Sequence, residues 1–464
     1  MTAVADPVPL AATAYPQARG DAAVRQGFVV FLGGSLALVA FWWAADGGVQ
    51  DLAGGESALN SVGRIAGLVA SDLLLIQVLL IARVPVLERA FGQDRITRMH
   101  RVIGLVSFTL MIAHIVLNTW GYAGGRLVGF PATFWGLTAN YPGMLLAVAG
   151  TLCLVMVVVT SLRAARRRLR YESWHLLHLY AYLGVGLALP HQLWIGQQFL
   201  QSTAATVYWW TFWAVAAGSV LVFRVGLPLV RSARHQVRVT SVASEGDGVT
   251  SVYMKGSTLD DLGAQPGQFF VWRFLGRSGW TRGNPYSLSA APDGRSLRIS
   301  VKDLGDNSAR TAHLAAGTRV MLEGPYGRLS PRARTRDKVA LIGAGVGVAP
   351  LRSLAEGLEY TPEGATLLYR FSADPLFDRE FEVLARERGL RVVYLPGSRR
   401  ADDSWLSHRA GVLNDAEALR ALVPDVAERD VFVCGPDIWA QSVRRAAVAC
   451  GVLQSQIHVE SFGW

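Results

Sequence analysis

The stretch HRVIGLVSFTLMIAHIVL, residues 100–117, decides the fold. It is an apolar run of helical length with a histidine near each end, His100 and His114. At about 100° and about 1.5 Å per residue, a helix sets these two rings within about 40° of one face and about 21 Å apart. Imidazoles inside an apolar segment are costly in hydrocarbon and are retained there for function. Working outward, five more apolar runs surround this one: Phe28–Ala45, Ile65–Ala82, Pro142–Leu162, Trp174–Pro190 and Ala205–Pro228. Each approaches the roughly 20 residues a helix needs to cross a bilayer, so residues 27–229 are expected to form an all-α bundle of six transmembrane helices.

The arginines then orient the bundle. Arg83, Arg89, Arg95, Arg98 and Arg101 cluster between the second and third runs, and Arg163, Arg166, Arg167, Arg168 and Arg170 between the fourth and fifth. Arg224, Arg231 and Arg234 follow the sixth, while the alternate loops hold little beyond Arg64 and Arg126. The positive-inside rule puts both termini in the cytoplasm and the chain in the cell membrane. It also accounts for a net charge of +10 without a nucleic-acid partner. A composition of 51% hydrophobic and 17% charged residues excludes a disordered chain. Cys153, Cys434 and Cys450 lie too far apart for a disulfide framework or a Cys-rich metal site. The Ala/Pro-rich residues 1–26 lack the apolar core of a signal peptide and read as a disordered cytoplasmic tail.

The fifth run answers the third. It carries His175, His178 and His191. Two helices with facing histidine pairs would hold two stacked haems, each between two axial imidazoles. The ligand set expected is His100, His114, His178 and His191. From His178 to His191 an ideal helix turns about 140° out of line, so a local departure is required, and Pro190 can supply it. His175 is left to support the site or the inner surface. Asp72, in the middle of the second run, either orients a haem group, carries protons or bonds a neighbouring helix.

Past Pro228 the pattern becomes that of a soluble α/β protein. His235–Val242, Thr250–Met254, Gln268–Phe274, Tyr286–Ser289, Leu297–Val301 and Arg319–Leu322 are short alternating runs with Gly, Pro and Asp between them, which predicts an antiparallel β-barrel over 233–333. Pro266-Gly267-Gln268-Phe269, Asn284-Pro285-Tyr286-Ser287-Leu288-Ser289 and Gly305-Asp306-Asn307-Ser308 offer what a flavin requires. Tyr286 can stack on the isoalloxazine, Ser287 can approach its reactive nitrogen, and the Gly305–Ser308 turn can take the pyrophosphate.

From 336 to 464 strands alternate with helices, predicting a parallel sheet. Gly343, Gly345, Val346, Gly347 and Pro350 lie on a strand-to-helix turn suited to a pyrophosphate. The spacing departs from the usual dinucleotide fingerprint by one residue. The next strand ends in Arg370 where an NAD site places an acid, and Arg399 follows a later strand. Both suit the 2′-phosphate of NADPH, with NADH the alternative.

From about residue 27 onward the chain resembles the ferric reductase and NADPH oxidase superfamily, in particular bacterial NADPH oxidase-like flavocytochromes b. The resemblance rests on the two histidine pairs, the flavin run, the glycine run before Pro350, Cys434-Gly435-Pro436 and the terminal Glu460-Ser461-Phe462-Gly463-Trp464. It implies a six-helix, two-haem b membrane domain joined to a ferredoxin–NADP reductase-like module. By the same resemblance Cys434 with Gly435 and Pro436 lies near the nicotinamide, and Phe462 and Trp464 cover the flavin. Gln268, Phe269, Pro285, Val301 and Asn307 belong to the flavin contacts. Asn284 stands where the family commonly has His or Arg, and Arg282 is the substitute available for the flavin phosphate. Ser287, Cys434 and Trp464 are the expected catalytic positions.

The activity implied is electron transfer from cytoplasmic NADPH through FAD and two haems to an acceptor outside. The outer loops carry almost no basic residues and no cluster of metal-ligand type, which favours oxygen over a ferric chelate. The alternatives are ferric-chelate reduction and supply of electrons to an extracytoplasmic protein. A six-helix channel with a nucleotide-sensing domain would leave the four histidines without a role.

Overall fold

The computed structural model describes residues 14–169, 171–196, 202–276, 279–409 and 411–461. These form two compact units, one of residues 25–84 and 95–224, the other of the remainder.

Long apolar helices make up the first unit; in chain order they are interleaved with α3 and the first residues of α1, to residue 24, which belong to the second. Helix α1 (Ala14–Trp43) is followed by α2 (Gly55–Ile81), α3 (Pro85–Phe91) and α4 (Gln93–Tyr122). Then come α5 (Phe130–Asn140), α6 (Met144–Ser161), the single turn α7 (Arg163–Arg166), α8 (Tyr171–Ile195) and α9 (Thr203–Ser219). Five stretches are long and apolar enough to cross a bilayer: Arg19–Gly48, Gly55–Ile81, Gln93–Tyr122, Met144–Ser161 and Thr203–His235. They turn large apolar side chains such as Leu105, Leu145 and Leu221 outward, the reverse of a water-soluble surface. The chain is a membrane protein. Helix α8 has the required length, with 25 residues, but three histidines dilute its apolar character.

Two differences from the sequence reading stand out. Helix α1 reaches back to Ala14, so residues 14–26 are not the disordered tail expected there. Asp21 is buried and accepts two hydrogen bonds from Arg332, from Nη2 at 2.8 Å and Nε at 3.2 Å. An ordered partner for a buried charge is the physical reason that segment holds its helix. Residues 1–13 lie outside the described residues. The connection between α4 and α6 also contains a helix, α5, opened by Pro131 in its first turn, where proline costs no backbone bond.

In the second unit, α10 (Leu227–His235) leads into six antiparallel strands. These are β1 (Arg238–Gly246), β2 (Val249–Lys255), β3 (Phe269–Phe274), β4 (Asn284–Ser287), β5 (Ser296–Lys302) and β6 (Val320–Tyr326). They pair as two three-stranded sheets, β1-β2-β5 and β4-β3-β6. Single bridges, Leu288 to Ile299 and Arg238 to Arg319, link the sheets at their margins. Phe270, Trp272, Leu288, Ile299 and Leu322 fill the core of this antiparallel lobe.

A parallel lobe follows the short α11 (Asp306–Ala309): β7 (Val339–Ala344), α12 (Val348–Gly357), β8 (Ala365–Phe371), α13 (Asp378–Arg388), β9 (Arg391–Pro396), α14 (Asp415–Leu422), β10 (Asp430–Gly435), α15 (Asp437–Ala449) and β11 (Ile457–Ser461). The sheet order is β11-β10-β7-β8-β9. Apolar cores cover both of its faces, as parallel strands require. Helix α14 starts with a full capping box between Asn414 and Glu417.

Candidate functional site

The structure brings the four histidines together in two pairs. His100 on α4 and His178 on α8 have ring centroids 6.1 Å apart. Two imidazoles bound at about 2 Å to one metal between them would place their ring centres about 6 Å apart. His191, further along α8, lies close enough to His114 for their charges to interact. Thus α4 and α8 face each other through His100/His178 at one level and His114/His191 at the other. His175 sits beside His178.

The surroundings orient the rings. Nδ1 of His100 is 3.3 Å from the Gln77 carbonyl and Nδ1 of His114 is 2.8 Å from the Gly63 carbonyl, both on α2. Nδ1 of His178 is 3.2 Å from the Ser161 hydroxyl. A carbonyl partner makes Nδ1 the protonated nitrogen and leaves Nε2 with its lone pair, the form a metal takes. Gly67 on α2 makes room for His114: a Cβ there would lie 2.3 Å from its Nδ1. Among the described residues, no group of three or more His, Cys, Asp or Glu side chains gathers as a bare metal ion would need. Paired imidazoles are the number of protein ligands a six-coordinate haem iron takes, so these residues fit two haems.

Asp72 is fully buried on α2. It accepts hydrogen bonds from Ser35 of α1, at 2.9 Å, and from Tyr208 of α9. Of the three roles open to it, bonding neighbouring helices is the one with contacts to show.

In the antiparallel lobe, β4 lies against β3 with Ser287 opposite Phe269, Tyr286 opposite Phe270 and Pro285 opposite Val271. Ser287 is buried, at 7% exposure. Tyr286 is half-buried, its carbonyl held at 2.9 Å by Trp272 Nε1. Asn284 Nδ2 is 3.5 Å from the Arg282 carbonyl. Other expected contacts have local duties. Gln268 Oε1 accepts from the Gln265 amide at 2.8 Å, Phe269 packs on Tyr326, and Val301 lies in the core. The Ser308 hydroxyl accepts from the Leu304 amide and donates to the Gly305 carbonyl, both at 2.8 Å. It shapes the turn, and the Gly305 amide donates to Asp303 Oδ1 at 3.2 Å. The Asn307 side chain, Phe462 and Trp464 lie outside what the structure describes.

In the parallel lobe the carboxyl ends of the strands converge. Gly343 of β7 pairs with Cys434 of β10, and Ala344 with Arg370 of β8. Gly345, Val346 and Gly347 turn into α12, of which Pro350 is a buried residue. A Cβ on Gly347 would lie 2.4 Å from the Cys434 carbonyl, so only glycine lets the turn pack against the strand leading to Gly435 and Pro436. Arg370 is half-buried; burial, then the neighbouring Arg399, pulls its guanidinium pKa down. Its Nε is buried without a partner among the described residues. Arg399 is fixed by donating to the Ser404 carbonyl at 2.5 Å and the Ser442 hydroxyl at 3.1 Å. Two adjacent guanidiniums beside a glycine turn are poised for a phosphate.

One residue escaped the sequence reading as a titrating group. Glu460 of β11 pairs in register with Cys434. Burial, and then Asp94 nearby, push its carboxyl up to about 8. Burial, Glu460 and Asp94 also push the Cys434 thiol well up, so Cys434 is a neutral thiol and not a thiolate nucleophile. The strand register could not be read because β11 was not recognised as a strand.

Residues 66–189 match the family model described as ferric reductase like transmembrane component. The glycine betaine monooxygenase reductase subunit of Chromohalobacter salexigens is 31% identical over 242 residues, 50% of this chain and 64% of that protein. A flavohemoprotein of Vibrio cholerae is 31% identical over 220 residues, 45% of this chain and 53% of its own length. The chain therefore spans less than two thirds of these curated relatives. Among solved structures, the flavohem-like FAD/NAD binding domain of nitric oxide dioxygenase from Vibrio cholerae aligns at TM-score 0.40 and 29% identity, covering 50% of this chain and 100% of that one. A half similar to reductase subunits, joined to this membrane component, marks the chain as an oxidoreductase.

Proposed function

We propose that this oxidoreductase, whose membrane half belongs to the ferric reductase-like transmembrane family, passes electrons from cytoplasmic NADPH across the cell membrane to oxygen, giving superoxide outside. The observation that carries the reading is the facing of His100 with His178 and of His114 with His191 on α4 and α8. FAD, when bound, turns a two-electron hydride into single electrons, and haem b carries electrons one at a time.

The chain's residues hold, orient and exclude. His100 and His178 would bind the inner haem, and His114 and His191 the outer one. The carbonyls of Gln77 and Gly63 keep two of these imidazoles in the ligating tautomer. Asn284–Ser287 present the flavin site, with Ser287 offering its hydroxyl to the ring edge. The Gly305–Ser308 turn takes the flavin pyrophosphate, and Arg282 stands in for the usual basic residue. The glycine turn before Pro350 receives the nucleotide pyrophosphate at the start of α12, and Arg370 and Arg399 receive the 2′-phosphate. Cys434 packs as a neutral thiol where the nicotinamide enters, and Glu460 keeps its proton at neutral pH. Phe462 and Trp464 are assigned to cover the flavin. Overall, NADPH and two O2 give NADP+, H+ and two superoxide ions.

Oxygen is favoured because the outer loops hold almost no basic residue beyond Arg126, so nothing draws an anionic ferric chelate. The test is NADPH-driven cytochrome c reduction by the purified protein, with and without superoxide dismutase, beside ferric chelates. Suppression by dismutase is the expected result. An unchanged rate, with ferric chelates reduced many times faster than oxygen, would assign the protein as a ferric reductase.

A further inference from the structure

Away from the strand ends, the antiparallel and parallel lobes are joined by a network of four charged side chains, of which Arg298, Arg352 and Glu356 are buried and Glu380 is partly exposed. Arg298 projects from β5, Arg352 and Glu356 from α12, and Glu380 from α13. Arg298 grips Glu380 with both terminal nitrogens, Nη1 to Oε1 at 2.7 Å and Nη2 to Oε2 at 3.0 Å. Arg352 is ion-paired with Glu380 and with Glu356. Two cations meet two anions, and Arg298 and Arg352 are nearly excluded from solvent, at 5% and 7% exposure.

The network holds a particular piece of backbone. Arg298 donates to the Ser289 hydroxyl at 3.0 Å and to the Ser289 carbonyl at 2.7 Å. Arg352 donates to the same carbonyl at 3.2 Å, and Glu356 accepts from the Ala291 amide at 2.6 Å. Ser289 ends the run Asn284–Ser289, two residues beyond Ser287. Arg352 lies on the helix that the glycine turn Gly345–Gly347 opens. Two of the side chains that clamp the end of the flavin run, Arg352 and Glu356, are therefore carried by the helix that the glycine turn opens.

A charge network of this kind is weak evidence for stability, since taking charges out of water costs about as much as their pairing returns. What it fixes is geometry. A bidentate guanidinium–carboxylate pair holds distance and angle together, and a misplacement of about 1 Å at a reacting pair can cost about 100-fold in rate. We propose that Arg298, Arg352, Glu356 and Glu380 are positioning residues that set the nucleotide-binding lobe against the flavin-binding lobe at the separation hydride transfer requires. Neither reactant touches them; they act through Ser289 and α12. This assignment rests on the reading of the two lobes as flavin and nicotinamide sites.

The test uses the full-length protein and two variants, Glu380→Gln and Arg298→Lys, the second keeping the charge while losing the two-pronged grip. FAD content, affinity for NADP+, thermal stability and the anaerobic rate of flavin reduction by NADPH are measured, the last also with NADPH deuterated at the transferred hydride. Both variants should keep FAD content, and NADP+ affinity within about threefold. The reduction rate should fall roughly tenfold or more, with a larger isotope effect. Glu380→Asp, which keeps the charge, should recover part of the rate. Reduction at the wild-type rate in variants that hold FAD would overturn the proposal. So would a loss that only follows lost FAD or lost stability, which marks a structural role. Failure of the wild-type protein itself to show flavin reduction by NADPH would instead sink the underlying reading of the lobes.

Discussion

Replacing Arg370 by alanine separates recognition of the 2′-phosphate from recognition of everything else in the nucleotide. Arg370 closes β8 opposite Ala344, directly beside the glycine turn. Its guanidinium is half-buried next to that of Arg399, and its Nε has no partner among the described residues. With no anion present the two cations repel, and a phosphate between them relieves that repulsion while accepting charge-assisted hydrogen bonds. One such bond contributes about 1.5–3 kcal/mol. At about 1.36 kcal/mol per tenfold in rate, Arg370→Ala should lower kcat/KM for NADPH roughly 10- to 150-fold. The site is partly open, so screening by physiological salt pulls the effect toward the lower end. NADH has no 2′-phosphate, and its kcat/KM should change by no more than about threefold. The assay is steady-state oxidation of each nucleotide by the purified protein at fixed ionic strength. Arg399→Ala should act in the same direction, and the double variant should lose less than the product of the single effects, because both cations serve one ligand. Equal losses for NADPH and NADH would refute the reasoning, since Arg370 would then bind a part the two nucleotides share.

Three further expectations follow from the site. His114→Ala and His191→Ala should each leave one haem per FAD by pyridine haemochrome assay, and His175→Ala should leave two; loss of a haem in His175→Ala with retention in His178→Ala would reverse the ligand assignment. Gly67→Ala places a methyl group where it would meet the His114 ring at 2.3 Å, so it should deplete or shift the spectrum of the outer haem while sparing the inner one. Glu460 has a folded-state pKa of about 8 against an ordinary 4.5. The folded state therefore binds the extra proton between those values, and stability falls as pH rises from 4.5 through about 8; Glu460→Gln should flatten that decline in thermal melts across the range, and an unchanged slope would remove Glu460 as its source.

How far the sequence reveals this architecture depends on whether a feature is local. Hydrophobic runs, arginine clusters and turn residues are local, so the apolar helices, the six antiparallel strands and the alternation of the parallel lobe could be read directly. Helix α5 was missed because an eleven-residue helix of mixed small and aromatic residues has no clear periodicity. The beginning of α1 was missed for a different reason: its order depends on Asp21 meeting Arg332, 311 residues away. Strand β11 hides in a short segment whose pairing with β10 is again long-range, and with it went the approach of Glu460 to Cys434.

The histidines mark the boundary between what spacing can and cannot establish. Ideal geometry sets His100 and His114 on one face, but turns His178 and His191 apart by about 140°. Yet His178 meets His100 and His191 comes near His114. Pro190, inside α8 and adjacent to His191, lacks the amide that would complete the backbone ladder at that point. Helical arithmetic therefore agrees with the approach of the rings on α4 and not on α8, which carries Pro190 inside it. The same logic explains why the Arg298–Glu380 pair was invisible. Its members lie 82 residues apart, in lobes of different architecture, and each taken alone resembles a surface charge. Only when β5 and α13 are brought together does the two-pronged pairing between the lobes come into view.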